Sequence, residues 1–121
     1  MITASPQDTY DHIFGSGATS YSWWRGLKTE DIDLETFKVE DGWSVLVTCE
    51  DGNDGRRSVV VDHHAIMRYA RRLISEPPQY AGDAVIRECK HLLFNAEETD
   101  FDADSADQLL QFIVLGEIVF G

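Results

Sequence analysis

Apolar residues fall at every second position in the centre of the chain and at helical spacing on either side of it. Thr36-Phe37-Lys38-Val39, Trp43-Ser44-Val45-Leu46-Val47-Thr48-Cys49 and Arg57-Ser58-Val59-Val60-Val61 read as three strands. Turn residues separate them, first Asp41-Gly42 and then Asp51-Gly52-Asn53-Asp54-Gly55. The pattern predicts a three-stranded antiparallel meander. Parity sets its register. A two-residue turn at Asp41-Gly42 would place Lys38 on the face of Val45. A loop of Glu40-Asp41-Gly42 with Gly42 left-handed instead faces Val39 with Trp43 and Phe37 with Val45, all on one side. A one-residue slip inverts the burial of a whole strand, so the second register is expected. The same test pairs Val47 with Val59 and Cys49 with Arg57, and it faces Glu50 with Arg56 as a solvent-side ion pair. The expected core face is Phe37, Val39, Trp43, Val45, Val47, Cys49, Val59 and Val61.

Helices are predicted around this centre. Ser5-Pro6 opens a short one: Ser5 can cap free amides, Pro6 suits the first helical position, and Asp8 and Asp11 lie near the positive end of the dipole. Tyr10, Ile13 and Phe14 form its apolar side, and Gly15 and Gly17 end it. Residues 19–25 have strand propensity, with Tyr21 and Trp23 on one face and Trp24 on the other. Asp62 caps a helix running to about Ser75, with Ile66, Tyr69, Ala70, Leu73 and Ile74 at core spacing. Glu76-Pro77-Pro78 stops it. Asp83 caps the next, with Val85, Ile86, Cys89, Leu92 and Leu93 on one face. The last begins at Ser105-Ala106-Asp107-Gln108, a capping-box pattern, and buries Ala106, Leu109, Leu110 and Ile113 until Gly116 ends it. Residues 117–120 suggest a short final strand. The expected fold is α+β: an antiparallel sheet of three to four strands with helices on one face, in a single two-layer domain.

Composition supports one globular domain. The chain has 121 residues, with aromatic residues enough for a core. No stretch is apolar enough to cross a membrane, and residues 1–14 do not resemble a signal peptide. Two cysteines, Cys49 and Cys89, do not make a disulfide scaffold, so a reduced, cytoplasmic protein is expected. Charge changes the picture most. The net charge is −12. Residues 1–55 carry 11 acids and 3 bases, and residues 73–121 carry 10 acids and 2 bases. Between them, residues 56–72 carry Arg56, Arg57, Arg68, Arg71 and Arg72 against Asp62 alone. Such a surface repels phosphate backbones, so general nucleic-acid binding is disfavoured. The order helix, three strands, helix resembles double-stranded RNA-binding modules, but the sign of the charge opposes that reading.

Several strings bear on chemistry. Val59-Val60-Val61-Asp62-His63-His64-Ala65 resembles one motif of the DHH phosphoesterases, where such residues hold a divalent metal. The further aspartate and histidine motifs of that family are absent before Asp62. The plainer expectation is a helix cap followed by two solvent-facing histidines. Asp100, Asp102 and Asp104 begin like an EF-hand loop, but Ser105 replaces the turn glycine and Gln111 the closing glutamate. They more simply cap the following helix. Cys49, Cys89, His63, His64 and His91 lack the close spacing of a zinc site. Gly15-Ser16-Gly17 lacks the rest of a phosphate loop, and no Ser/His/Asp set has a supporting context. No cofactor is expected. Trp23, Trp24 and Arg25 are interface-type residues, as are Arg68, Arg71 and Arg72. Strand neighbours face opposite ways, so the two tryptophans either both reach core or leave one exposed for a partner.

Arg87-Glu88-Cys89-Lys90-His91-Leu92-Leu93-Phe94-Asn95, the Asp-rich loop and Leu115-Gly116-Glu117-Ile118-Val119-Phe120-Gly121 resemble small acidic accessory proteins of actinobacterial phages and integrative elements. Tyr21-Ser22-Trp23-Trp24 adds to the likeness, and Arg outnumbers Lys seven to three. The resemblance implies a setting and no mechanism. Three functions follow as expectations. The first is a non-catalytic protein-interaction module of phage type with a protein partner. Its special case is a DNA mimic whose acidic runs, 30–35 and 97–107, imitate phosphates. The second is a small metal-dependent phosphoesterase or nuclease using Asp62, His63 and His64. The third is a homo-oligomeric part of a larger assembly.

Overall fold

The computed structural model describes residues 2–32 and 38–121. Helix α1 (Pro6–Phe14) starts as its sequence dictates. Ser5 Oγ accepts from the Asp8 amide at 3.1 Å, and the Asp8 carboxylate accepts from the Ser5 amide at 3.0 Å. The helix leads through a 3-10 turn at Ala18–Ser20 into strand β1 (Trp24–Ile32). Strands β2 (Val39–Glu50) and β3 (Arg56–Asp62) follow, then helices α2 (His63–Ser75), α3 (Asp83–Phe94) and α4 (Ala103–Leu115). The sheet is three-stranded and antiparallel in the order β1-β2-β3, and the fold is α+β.

The second hairpin has the expected register: Val47 opposes Val59, Cys49 opposes Arg57 and Glu50 opposes Arg56. Glu50 nevertheless pairs with Arg25 of β1, whose Nε donates to it at 2.9 Å. The first hairpin differs from expectation. Glu40-Asp41-Gly42 is no turn but lies inside β2, and Gly42 is not left-handed. The partner of β2 is β1, which pairs Lys28 with Leu46, and Phe37 lies outside the described residues. The turn-forming residues make an irregularity instead. Glu30 opposes Ser44 and Ile32 opposes Val39, so residues 40–43 bulge against a single residue of β1. Residues 19–25 likewise are not the strand; only Trp24 and Arg25 belong to it. From Arg25 to Thr29 every side chain is exposed, which is why alternation did not reveal this edge strand.

Alternation in β2 sorts the two faces of the sheet. Trp43, Val45, Val47 and Cys49 are buried with Val61 of β3, while Val39 and Val59 pack partly against them. Leu46 and Val60 point the other way and are exposed, beside a Thr48–Ser58 hydroxyl pair 2.7 Å apart. Trp43 receives α1: Tyr10 and Phe14 meet its ring edge-on at 5.5 and 5.8 Å, and its indole N–H donates to the Pro6 carbonyl.

Helices α2 and α3 keep their expected apolar stripes, α4 buries every residue from Leu109 to Leu115 and not one side alone, and the caps of α3 and α4 are displaced. Asp62 caps α2 by accepting from the Ala65 amide at 2.7 Å. Asp83 is the first residue of α3, not its cap; that place is taken by Gly82, whose amide donates to Gln108 Oε1. Helix α4 starts earlier than expected, because Asp102, not Ser105, is its cap and Ser105 closes the box from the third helical position. Gly116 ends α4 at φ 78°, a left-handed turn that suits glycine. Residues 117–120 form no strand: the Val119 and Phe120 amides both donate to the Gln111 side-chain oxygen at 2.9 Å.

Candidate docking surface

The metal-like strings take up ordinary structural work. Asp62 is a helix cap. His63 Nδ1 lies 3.0 Å from the hydroxyl of buried Thr9, which also lies 3.1 Å from the Pro6 carbonyl. A hydroxyl has one proton, so when Thr9 donates to Pro6 the imidazole N–H is the donor to Thr9. Burial, then the neighbouring His64, lower the pKa of His63 against the opposing pull of Asp62, Asp41 and Asp8. His64 is exposed, its ring edge-on to that of His63. Asp102 caps α4, Asp104 accepts from the Tyr21 hydroxyl, and the backbone amide of Asp100 donates to Glu88 at 2.7 Å. Among the described residues, no three His, Cys, Asp or Glu side chains converge to hold a metal ion. Both cysteines are free and buried, and burial pushes each thiol up to about 12.

The tryptophan pair is turned inward. Trp24 is buried, and Trp23 is half-buried between the rings of Tyr21 and Phe120, at centroid distances of 4.9 and 5.2 Å. Both indole N–H groups donate to one oxygen of Asp107, at 2.8 and 2.7 Å. The other Asp107 oxygen accepts from Gln111 Nε2 at 2.7 Å. Asp107 is only 3% exposed, and desolvation raises its pKa despite those donors. The two tryptophans therefore anchor β1 and its approach to α4. The sequence pattern placed Asp107 only inside the Ser105–Gln108 capping-box string and did not show its partnership with Gln111. Their i, i+4 spacing beside the apolar stripe of α4 was the available signal.

The acidic runs fare unevenly as phosphate imitators. Asp107 is withdrawn from solvent, and Asp104 and Asp102 are engaged as above. The side chains of residues 30–35 lie outside those described.

The basic segment is different. Arg68, Arg71 and Arg72 are exposed along α2, and none makes an ion pair among the described residues. The Arg72 guanidinium lies 5.0 Å from the Tyr69 ring centre and 5.7 Å from that of Phe112, and Arg68 lies 5.5 Å from Tyr69. Tyr69 and Phe112 meet edge-on at 5.5 Å, joining α2 to α4. Beside that joint runs an open groove of about 510 Å³, lined by Arg71, Arg72, Ser75, Glu76, Pro78, Phe112 and Gly116. Arg57 approaches the same end of α4, donating to the Leu115 carbonyl at 3.3 Å. The sequence had marked the arginines; Phe112 and Pro78, which give the groove apolar surface, it had not. No protein-family model, curated protein or solved structure matches this chain.

Proposed function

We propose that the chain is a non-catalytic protein-interaction module that docks a protein partner through the arginine-lined groove between α2 and α4. One observation carries the reading. In a chain of net charge −12, Arg71 and Arg72 stand exposed and without a carboxylate partner among the described residues, beside Phe112 and Pro78. Exposed arginine next to an apolar surface is the usual composition of an interface anchor. The tryptophans are committed to the fold, since Asp107 accepts from both indole N–H groups, with Trp24 buried and Trp23 half-buried.

The resemblance to phage accessory proteins sets this module in the cytoplasm of an actinobacterial host, as a modulator of a host or viral protein. Two free, buried cysteines suit that reducing compartment. The overall charge argues against general nucleic-acid binding. The test is affinity capture from an actinobacterial lysate with the wild type and an Arg71→Gln, Arg72→Gln variant. A partner held by the wild type and lost by the variant is the expected result. Identical captures, or blanks at both low and moderate salt, overturn the reading.

A further inference from the structure

Resting on that docking reading, we propose that the occupant of the groove is an acidic protein segment carrying one bulky apolar side chain. The geometry separates the two requirements. The Arg72 guanidinium lies 5.0 and 5.7 Å from the ring centres of Tyr69 and Phe112, contacts that favour its position without neutralising its charge. Its N–H edge stays available for a carboxylate, which the planar fork of arginine binds bidentately. Arg71 adds a second unpaired cation on the same rim. Half-buried Pro78 and the 6% of Phe112 that stays exposed form a small apolar floor that a purely ionic ligand would leave unused. The groove is open, about 510 Å³, so it suits a segment lying along the surface more than an enclosed small molecule.

The surroundings limit the length of the charged ligand. Glu76 lines the groove, and the carbonyl ends of α2 and α4 point a negative dipole toward it. Around Arg57 the surface is of mixed charge, with Asp51 and Glu117 set beside Arg56. A long uniform polyanion would meet these carboxylates, whereas a short acidic segment presents its own only at Arg71 and Arg72. Charge complementarity thus favours a peptide over a nucleic acid.

Fluorescence anisotropy of labelled peptides tests the inference on the full chain. The probes are a short peptide with glutamates around a central leucine, a twin with glutamine for glutamate, and a twin with alanine for leucine. The first should bind wild type, with an affinity that falls as salt is raised. The glutamine twin and the Arg71→Gln, Arg72→Gln variant should each weaken binding about tenfold or more, and the alanine twin severalfold. Circular dichroism should show the variant folded, since both side chains are exposed. Absent peptide binding, equal binding of the glutamine or alanine twin, or tighter binding of oligothymidylate or inorganic phosphate each overturns it. So does self-association of the protein alone that the arginine variant abolishes, which would make a second copy the occupant. If peptides fail while lysate capture still depends on Arg71 and Arg72, only the occupant's chemistry falls. If both fail, the docking reading falls as well.

Discussion

Trp24 of β1 and Asp107 of α4 meet at 2.7 Å, indole N–H to carboxylate oxygen, in the interior of the fold. Trp23 donates to the same oxygen, so a single carboxylate ties the start of the sheet to the last helix. Removing it leaves two indole donors and the Gln111 amide short of an acceptor. Asp107→Ala should therefore cost about 3 kcal/mol in a urea titration, the scale for stranding buried donors. Asp107→Asn keeps one acceptor but sets a second amide donor against Gln111, and should cost less. The pH dependence has a definite sign. Burial raises the folded pKa of Asp107 above 3.8, so its contribution is full below that value and declines as pH rises through the folded one. The stability gap between wild type and Asp107→Asn should narrow from about pH 4 toward neutrality.

Glu88 behaves in the opposite sense. It is 2% exposed, and burial alone would raise its pKa. Three donors outweigh that: Arg87 Nε at 2.7 Å, the Asp100 amide at 2.7 Å and His91 Nδ1 at 2.9 Å. The folded pKa is lowered, so its stabilisation is present above 4.5 and is lost as pH falls through the folded value. Glu88→Gln should cost about 2 kcal/mol at neutral pH, and the deficit should shrink on acidification below 4.5. Chemical denaturation of the two proteins across that window checks it. A deficit that stays constant would mean that the carboxylate's charge contributes nothing.

Two glycines should respond differently to alanine. Gly116 sits at φ 78° with open space where a Cβ would go, so Gly116→Ala carries only the conformational cost, about 1 kcal/mol. Gly52, at φ 87°, would place its Cβ 2.9 Å from Val119 Cγ1. Gly52→Ala should cost more, because a stiff β-branched side chain must also move. The Gly52→Ala, Val119→Ala double variant should recover the steric share alone. Thermal melts of the four proteins distinguish conformational from contact cost.

Legibility in the sequence followed burial. Period and parity located the Val47–Val59 register and the stripes of α2 and α3, each of which has one covered face; they failed at Val39 and Trp43, which share β2, and they understated the burial of α4. β1 escaped because its residues from Arg25 to Thr29 are all exposed, so no apolar alternation marks them. Asp41-Gly42 misled for a related reason. Turn propensity is local, and pairing with β1 converted those residues into a bulge. At the docking surface the cations were visible as a charge block. Their apolar neighbours Pro78 and Phe112 were not, since only tertiary structure brings residues about one-third of the chain apart into one groove.

The Asp62-His63-His64 string yields the last expectation. A site that holds a metal at a hundredfold excess over its dissociation constant gains about 2.7 kcal/mol of folding stability. Asp62 already accepts from the Ala65 amide, and His63 already meets Thr9. Adding manganese or zinc should therefore leave the thermal midpoint unchanged, and the His63→Ala, His64→Ala variant should show the same indifference. That variant should still be about 1 kcal/mol less stable, through the lost His63–Thr9 hydrogen bond. Its deficit should depend on pH in the direction set by burial. The folded pKa of His63 is lowered below 6.5, so its stabilisation is present above that value and lost as pH falls through the folded one. The deficit should thus be largest at neutral and alkaline pH and fade in acid. A metal-dependent rise in midpoint that the double variant abolishes would instead make the string a metal site and favour the phosphoesterase reading over docking.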